Sequence, residues 1–229
     1  MNDAGFSKDR MSGLGGSDMA KLIIEGYKYG GPLDVYNEKV ELPKFKGNAA
    51  TTRGHYLERG VADWYADTTV CKLHHVHPDI DKDLKLERVG SEFTVVHPEY
   101  NYLRGTPDFL TDNPQLGLEV KTARENQWSF FDRYGKPLWG KSGSSIIPLP
   151  YFVQCQWYMG LTYRTLWDVA AFFIGYKDEF RIYHLEFNKE LYDEMVRVGK
   201  EFWETYVLPQ VAPPKELVMS NVFPVPEAK

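Results

Sequence analysis

The spacing of apolar residues divides the chain into helical and extended stretches. Between residues 50 and 67, Leu57, Val61, Trp64 and Tyr65 fall on one side of a 3.6-residue period, which predicts a helix with Glu58 at the edge of its apolar stripe. From 89 to 122 the pattern turns strand-like, in runs from Val89 to Val96, Tyr102 to Leu110 and Leu116 to Thr122. Asp112-Asn113-Pro114 makes the last two a hairpin. Tyr151 to Gly160 is apolar on nearly every side and reads as a buried helix, introduced by Pro148-Leu149-Pro150 and ending near Gly160. Asp168 to Ile174 and Glu179 to Phe187 read as strands joined through Gly175-Tyr176-Lys177-Asp178. Leu191, Met195, Val198, Phe202 and Tyr206 then recur at helical spacing, predicting a last amphipathic helix from about Asn188 to Val207.

Turn chemistry fills the intervals. Ser12-Gly13-Leu14-Gly15-Gly16-Ser17-Asp18 leads into a helix over Met19 to Glu25, with Ser17 as N-cap, Asp18 in the first turn and Gly26 as the stop. A Gly- and Ser-rich loop covers 135 to 148, with Trp128, Phe130, Phe131, Tyr134 and Trp139 nearby; it is a mobile flap or a packing surface. After Pro209 the tail carries Pro213, Pro214, Pro224 and Pro226 and reads as irregular, docking on the body or on a partner subunit. With no internal repeat and no linker, the expectation is a single domain over 1–229, with a core of about 10–207 and a Pro-rich tail over 208–229.

Composition narrows the class. At 229 residues, 43% hydrophobic and 15% aromatic, the chain can bury a sizeable core. No apolar run approaches the roughly 20 residues needed to span a membrane, and Met1-Asn2-Asp3-Ala4-Gly5 has no signal pattern. Cys71 and Cys155 supply neither a disulfide framework nor a zinc or iron–sulfur ligand set, so the expected compartment is a reducing cytoplasm. The net charge of −5 excludes a protein that grips nucleic acid by general basicity. Any such contact is local, or the substrate is held by encirclement.

The candidate chemistry centres on Pro107-Asp108-Phe109 and, ten residues on, Glu119-Val120-Lys121. Residues two apart in a strand share a face, so Glu119 and Lys121 project together, and the neighbouring segment brings in Asp108. Two carboxylates can hold a hard divalent cation, and a lysine beside them can orient a water or stabilise charge on a phosphate. The competing reading of this triplet is a solvated sheet face with an ion pair. The glycine loop at 13–18, with Arg10 upstream, is either an anion-binding turn or an ordinary capped helix start. His74, His75 and His77 lack helical ligand spacing and read as surface histidines. Gln154 and Tyr158 share a helix face, as partnered core polar groups or as part of a site.

Five motifs stand in order: Gly-Leu-Gly-Gly-Ser-Asp at 13–18, Arg-Gly-His-Tyr-Leu-Glu at 53–58, Leu-Arg-Gly-Thr-Pro-Asp at 103–108, Gly-Leu-Glu-Val-Lys at 117–121 and Gln-Cys-Gln-Trp-Tyr at 154–158. Together they resemble the PD-(D/E)xK nucleases, and more narrowly the phage lambda exonuclease and YqaJ-type viral recombinase family. The resemblance implies an α/β, restriction-endonuclease-like fold, a mixed central sheet flanked by helices. It implies that Asp108, Glu119, the Val120 backbone carbonyl and Glu58 bind metal, in a two-metal site for Mg2+ with Mn2+ able to substitute. It implies Lys121 as the catalytic lysine, Gln154 and Tyr158 beside the active site, and Arg10, Ser17, Thr106 and Gln154 as contacts to DNA and its 5′-phosphate. Thr106 stands where serine is expected, with the hydroxyl kept. The implied function is Mg2+-dependent 5′→3′ exonuclease action on double-stranded DNA ends, leaving a 3′ overhang for recombination. The implied partners are two further copies in a homotrimeric ring and a single-strand annealing recombinase, with no membrane. The alternatives are an endonuclease on the same fold and a non-catalytic DNA-end-binding scaffold; two cysteines cannot ligate the cluster of an iron–sulfur nuclease.

Overall fold

The structure is a computed structural model that describes residues 11–27, 29–40, 49–124, 138–175 and 177–220. In chain order these hold helices α1 (Gly16–Ile23), α2 (Pro32–Val40) and α3 (Ala49–Thr69), then strands β1 (Leu73–His74), β2 (Leu86–Val89), β3 (Glu92–Val96), β4 (Arg104–Gly105), β5 (Phe109–Thr111) and β6 (Leu116–Arg124). Helix α4 (Leu149–Thr162), strands β7 (Leu166–Ile174) and β8 (Glu179–Glu186), helix α5 (Lys189–Phe202) and a π-helical turn (Trp203–Val207) complete the order. No described helix is long and apolar enough to cross a membrane.

The strands form a five-stranded sheet in the order β1-β5-β6-β7-β8 and a three-stranded sheet β2-β3-β4. All pairs in the larger sheet are antiparallel except β6 and β7, which run parallel over nine residues through the α4 crossover. Alternation along β7 assigns the two faces. Trp167, Val169, Ala171 and Phe173 join the main core with Trp157, Met159, Tyr183 and Leu191. Ala170 faces the other way, packing with Phe109, Leu118, Val120 and, from α3, Val61, Ala62 and Tyr65. This is the mixed sheet flanked by helices that the motifs imply.

Several expectations need correcting. The run from Val89 to Val96 is not one strand: Gly90, at φ 62°, turns it into the β2–β3 hairpin. The run from Tyr102 to Leu110 is broken as well. Pro107 cannot donate to a ladder, and the chain passes there from β4 in the small sheet to β5 in the large one. Ser17 does not cap α1; the N-cap is Gly15, whose N–H donates to the Asp18 carboxylate at 2.8 Å. That carboxylate also takes a buried ion pair from Lys39 on α2, at 2.7 Å. Trp64 lies outside the core, 48% exposed and stacked on Phe180. Gly160 does lie near the end of α4, which runs on to Thr162 and stops at Tyr163 in the left-handed conformation. Gly160 makes room for Tyr192, whose ring would lie 2.1 Å from an added Cβ.

The 138–148 part of the Gly/Ser loop is a packing surface: Trp139 is buried against Tyr151, Phe173 and Tyr183. Trp128, Phe130, Phe131 and Tyr134 lie outside the described residues. The tail docks on the body as far as Ser220: Met219 is in the core, and Ser220 Oγ lies 2.9 Å from Glu194 of α5.

Candidate active site

Asp108 stands at the crossing between the two sheets, on the residue after Pro107. Its Oδ2 accepts the Val120 N–H of β6 at 2.8 Å. In an extended strand one residue's N–H and C=O face the same side, so the Val120 carbonyl is turned toward that edge too. The Asp108 carbonyl lies 2.9 Å from His75 Nδ1. A carbonyl only accepts, so His75 carries its proton on Nδ1 in this contact. Sequence reasoning missed this histidine; its place in a His-rich segment was the available signal, but nothing local tied it to Asp108.

Glu119 and Lys121 alternate with Leu118 and Val120, so they face α4 rather than α3. Glu119 is wholly buried, and its Oε1 accepts from the Lys121 ammonium. Its Oε2 is also buried and has no hydrogen-bond partner among the described residues. The Lys121 ammonium lies 5.1 Å over the Tyr151 ring, a second contact that the sequence did not disclose.

These groups perturb one another strongly. Burial, reinforced by the charge of Asp108, pushes the Glu119 carboxyl up to about 8 against the pull of Lys121. Burial raises Asp108 as well, while Lys121 and the Val120 N–H oppose the rise. Glu58, half-buried on α3, is pushed up to about 7 by burial and then by Asp108. Burial works against the Lys121 ammonium, but Glu119 and Asp108 outweigh it and hold the lysine protonated. Glu58, Asp108, Glu119 and Lys121 therefore form one electrostatic unit, drawn from α3, the Pro107 crossing and β6.

The Gln-x-x-x-Tyr pair lies against this unit. Gln154 Nε2 donates to the Tyr158 hydroxyl at 3.0 Å. Tyr158 is buried, and burial followed by the Glu119 charge keeps its phenol protonated. Gly105 packs on its ring, where a Cβ would stand 2.8 Å away. The next residue, Thr106, is exposed and its hydroxyl donates to Thr94 Oγ1 at 3.0 Å. Gly16 abuts Gln154, with a would-be Cβ 2.9 Å from its Cγ, so the start of α1 and the exposed Ser17 lie beside the same pair. Arg10 is outside the described residues. His74 and His77 take no part in the unit: His74 pairs with Asp81 at 3.2 Å, and His77 Nδ1 accepts from the Asp79 N–H at 3.3 Å.

The fit to a cation follows from this chemistry. Three carboxylates and one ammonium act on one another electrostatically, all candidate donors are oxygens, and one buried carboxylate oxygen is unsatisfied among the described residues. Among the described residues no three His, Cys, Asp or Glu side chains converge as a ready-made metal cage. The oxygen donors suit a hard cation such as Mg2+, which keeps several waters and takes one or two carboxylates together with substrate phosphate.

Known proteins share both sequence and fold with this chain. The uncharacterized protein YqaJ of Bacillus subtilis (strain 168) is 28% identical over 210 residues, which is 90% of this chain and 56% of that protein. The chain thus spans little more than half the length of that curated relative. The alkaline exonuclease LHK-Exo from Laribacter hongkongensis shares the fold at a TM-score of 0.64 and 18% identity, over 92% of this chain and 94% of that one. A phage-related exonuclease from Haemophilus somnus 129PT does so at 0.52 and 14%, over 86% and 96%. The model of the YqaJ-like viral recombinase domain matches residues 5–165, and on that match the chain belongs to the family.

Proposed function

We propose that this chain is a Mg2+-dependent 5′→3′ exonuclease. It degrades one strand of double-stranded DNA from its end and leaves a 3′ overhang for recombination by single-strand annealing. The observation that carries this reading is the Glu119 carboxylate, wholly buried, its Oε2 unsatisfied, in the field of Asp108 and beside Lys121. A purely structural ion pair gains nothing from leaving a buried carboxyl oxygen without a partner.

Asp108, Glu119 and the Val120 carbonyl would hold the first Mg2+, and Glu58 would assist a second. Bound there, Mg2+ supplies Lewis-acid polarisation of the phosphate and a more acidic water. Lys121, held as an ammonium, donates toward the attacking water or the charge that develops on the phosphate. Glu58, poised near neutral pH, can hold or release a proton as the substrate enters. Tyr158 keeps its phenol proton and so acts as a hydrogen-bond donor at the edge of the site.

The 5′ polarity is supported by the juxtaposition at Gln154. The glycine loop, Ser17 and Thr106 lie around the Gln154–Tyr158 pair; Arg10, outside the described residues, would add a forked phosphate contact. A homotrimeric ring threading DNA would reconcile processive action with a net charge of −5. A single-strand annealing recombinase would then receive the exposed strand.

The deciding experiment offers linear duplex and covalently closed plasmid with Mg2+ or Mn2+. The expected result is loss of the linear DNA and survival of the circle. Rapid linearisation of the circle would establish an endonuclease instead, and no hydrolysis of either would leave a DNA-end-binding scaffold. Light scattering that shows a stable monomer at working concentration would remove the ring.

A further inference from the structure

Beside the carboxylates a cleft of about 410 Å3 opens between the segment that follows β1 and the β2–β3 hairpin. His75 lines one side, Arg88, Glu92 and Phe93 the other, and Thr106 and Pro107 meet them. Two relations join the cleft to the site. Thr106 and Pro107 run directly into Asp108, and His75 Nδ1 donates to the Asp108 carbonyl at 2.9 Å.

The hairpin register decides what faces the cleft. Arg88 pairs across the strands with Phe93, so the two side chains share a face. Phe93 packs edge-on against the His77 ring at 5.5 Å, which turns that face toward the histidine segment. Arg88 Nε donates to the Gly90 carbonyl at 3.2 Å, fixing the plane of the guanidinium at the hairpin turn. Its terminal nitrogens carry the paired donors that match phosphate oxygens. Glu92 lines the same cleft, so the cleft is not a general anion trap; a phosphate belongs at its Arg88 end.

We propose that this cleft is a strand subsite. It takes the sugar–phosphate segment next to the scissile bond, with Arg88 as the phosphate contact. The inference rests on the nuclease reading of the carboxylate site and adds to it the path of the bound strand.

The test measures DNA binding against salt concentration, and steady-state hydrolysis, for the wild type, Arg88→Ala, Arg88→Lys and the charge-matched control Lys189→Ala. Lys189 is exposed on α5 and paired with Asp193. Arg88→Ala should flatten the plot of log affinity against log salt by about one unit, as one lost phosphate contact does, and raise KM about tenfold with a smaller fall in kcat. Arg88→Lys should restore the salt slope but only part of the KM. If Arg88→Ala and Lys189→Ala match the wild type in slope and KM, the subsite is overturned while the nuclease reading stands. If wild-type protein hydrolyses nothing with Mg2+ or Mn2+, the nuclease reading fails, and the binding slopes still decide whether Arg88 touches a phosphate.

Discussion

The Val120 amide donates to the Asp108 carboxylate at 2.8 Å, tying the crossing after Pro107 to the middle of β6. An asparagine at 108 keeps an acceptor for that amide and loses only the charge. Asp108→Asn should therefore fold normally and bind duplex ends within a few-fold of wild type, with turnover lower by at least about 10^3. Lys121→Ala should behave alike, since it removes a donor to developing charge. Single-turnover cleavage beside fluorescence anisotropy checks both; a variant that still cleaves at near wild-type rate would remove that residue from the chemistry.

The raised Glu119 carboxyl links stability to pH. Its folded value of about 8 exceeds the ordinary carboxylate value of 4.5, so between these limits the folded state binds more protons than the unfolded one. Its contribution is then fullest at the acid end and is lost as pH rises toward 8. Glu58 acts in the same direction up to about 7. In chelator, wild-type Tm should fall between about pH 5 and about pH 8.5 more steeply than that of Glu119→Gln. Mg2+ at the alkaline end should raise the wild-type Tm and leave the variant nearly unmoved. Parallel Tm profiles would contradict this account.

Duplexes with 5′-phosphate and 5′-hydroxyl ends probe the contacts around Gln154. The wild type should prefer the phosphate, and Arg10→Ala should lose at least about tenfold of that preference, the scale of one charge-assisted hydrogen bond. Gly16→Ala is a subtler probe, because its Cβ would press on the Gln154 side chain from 2.9 Å. It should slow cleavage without changing the order of preference. Equal rates on both ends in the wild type would refute the pocket.

Gly160→Ala addresses the core alone. Its Cβ would meet the Tyr192 ring at 2.1 Å, an overpacking that costs about 1–3 kcal/mol in similar cores. Urea unfolding should show that loss, while the activity of the folded fraction persists.

What the sequence disclosed was local. The periods of 2.0 and 3.6 placed β6, the β5–β6 turn, α4, β7, β8 and α5, because each is written in neighbouring residues. The α2 helix went unread, although Gly31-Pro32 and Asp34, which accepts the Gly31 N–H at 2.8 Å, mark its start. The breaks at Gly90 and Pro107 were visible as residues, but not their consequences: Gly90 folds a hairpin within the small sheet, and Pro107 carries the chain from that sheet to the large one. In the site, Glu119 and Lys121 were legible as a strand pair. Their neighbours His75 and Tyr151 were not, because a contact such as His75 to Asp108 spans 33 positions that no periodicity connects.

The parallel pairing of β6 with β7 bears on how the molecule can be cut. The strand that carries Glu119 and Lys121 is paired along its whole length with residues 166–174, and these begin just past the 5–165 segment that marks the family. A recombinant fragment trimmed to that segment would keep the five motifs and lose the partner strand that buries Glu119. Its carboxylates would stand in water at ordinary acidity, and a mixture of such fragments with DNA would report on an unfolded chain rather than on the enzyme.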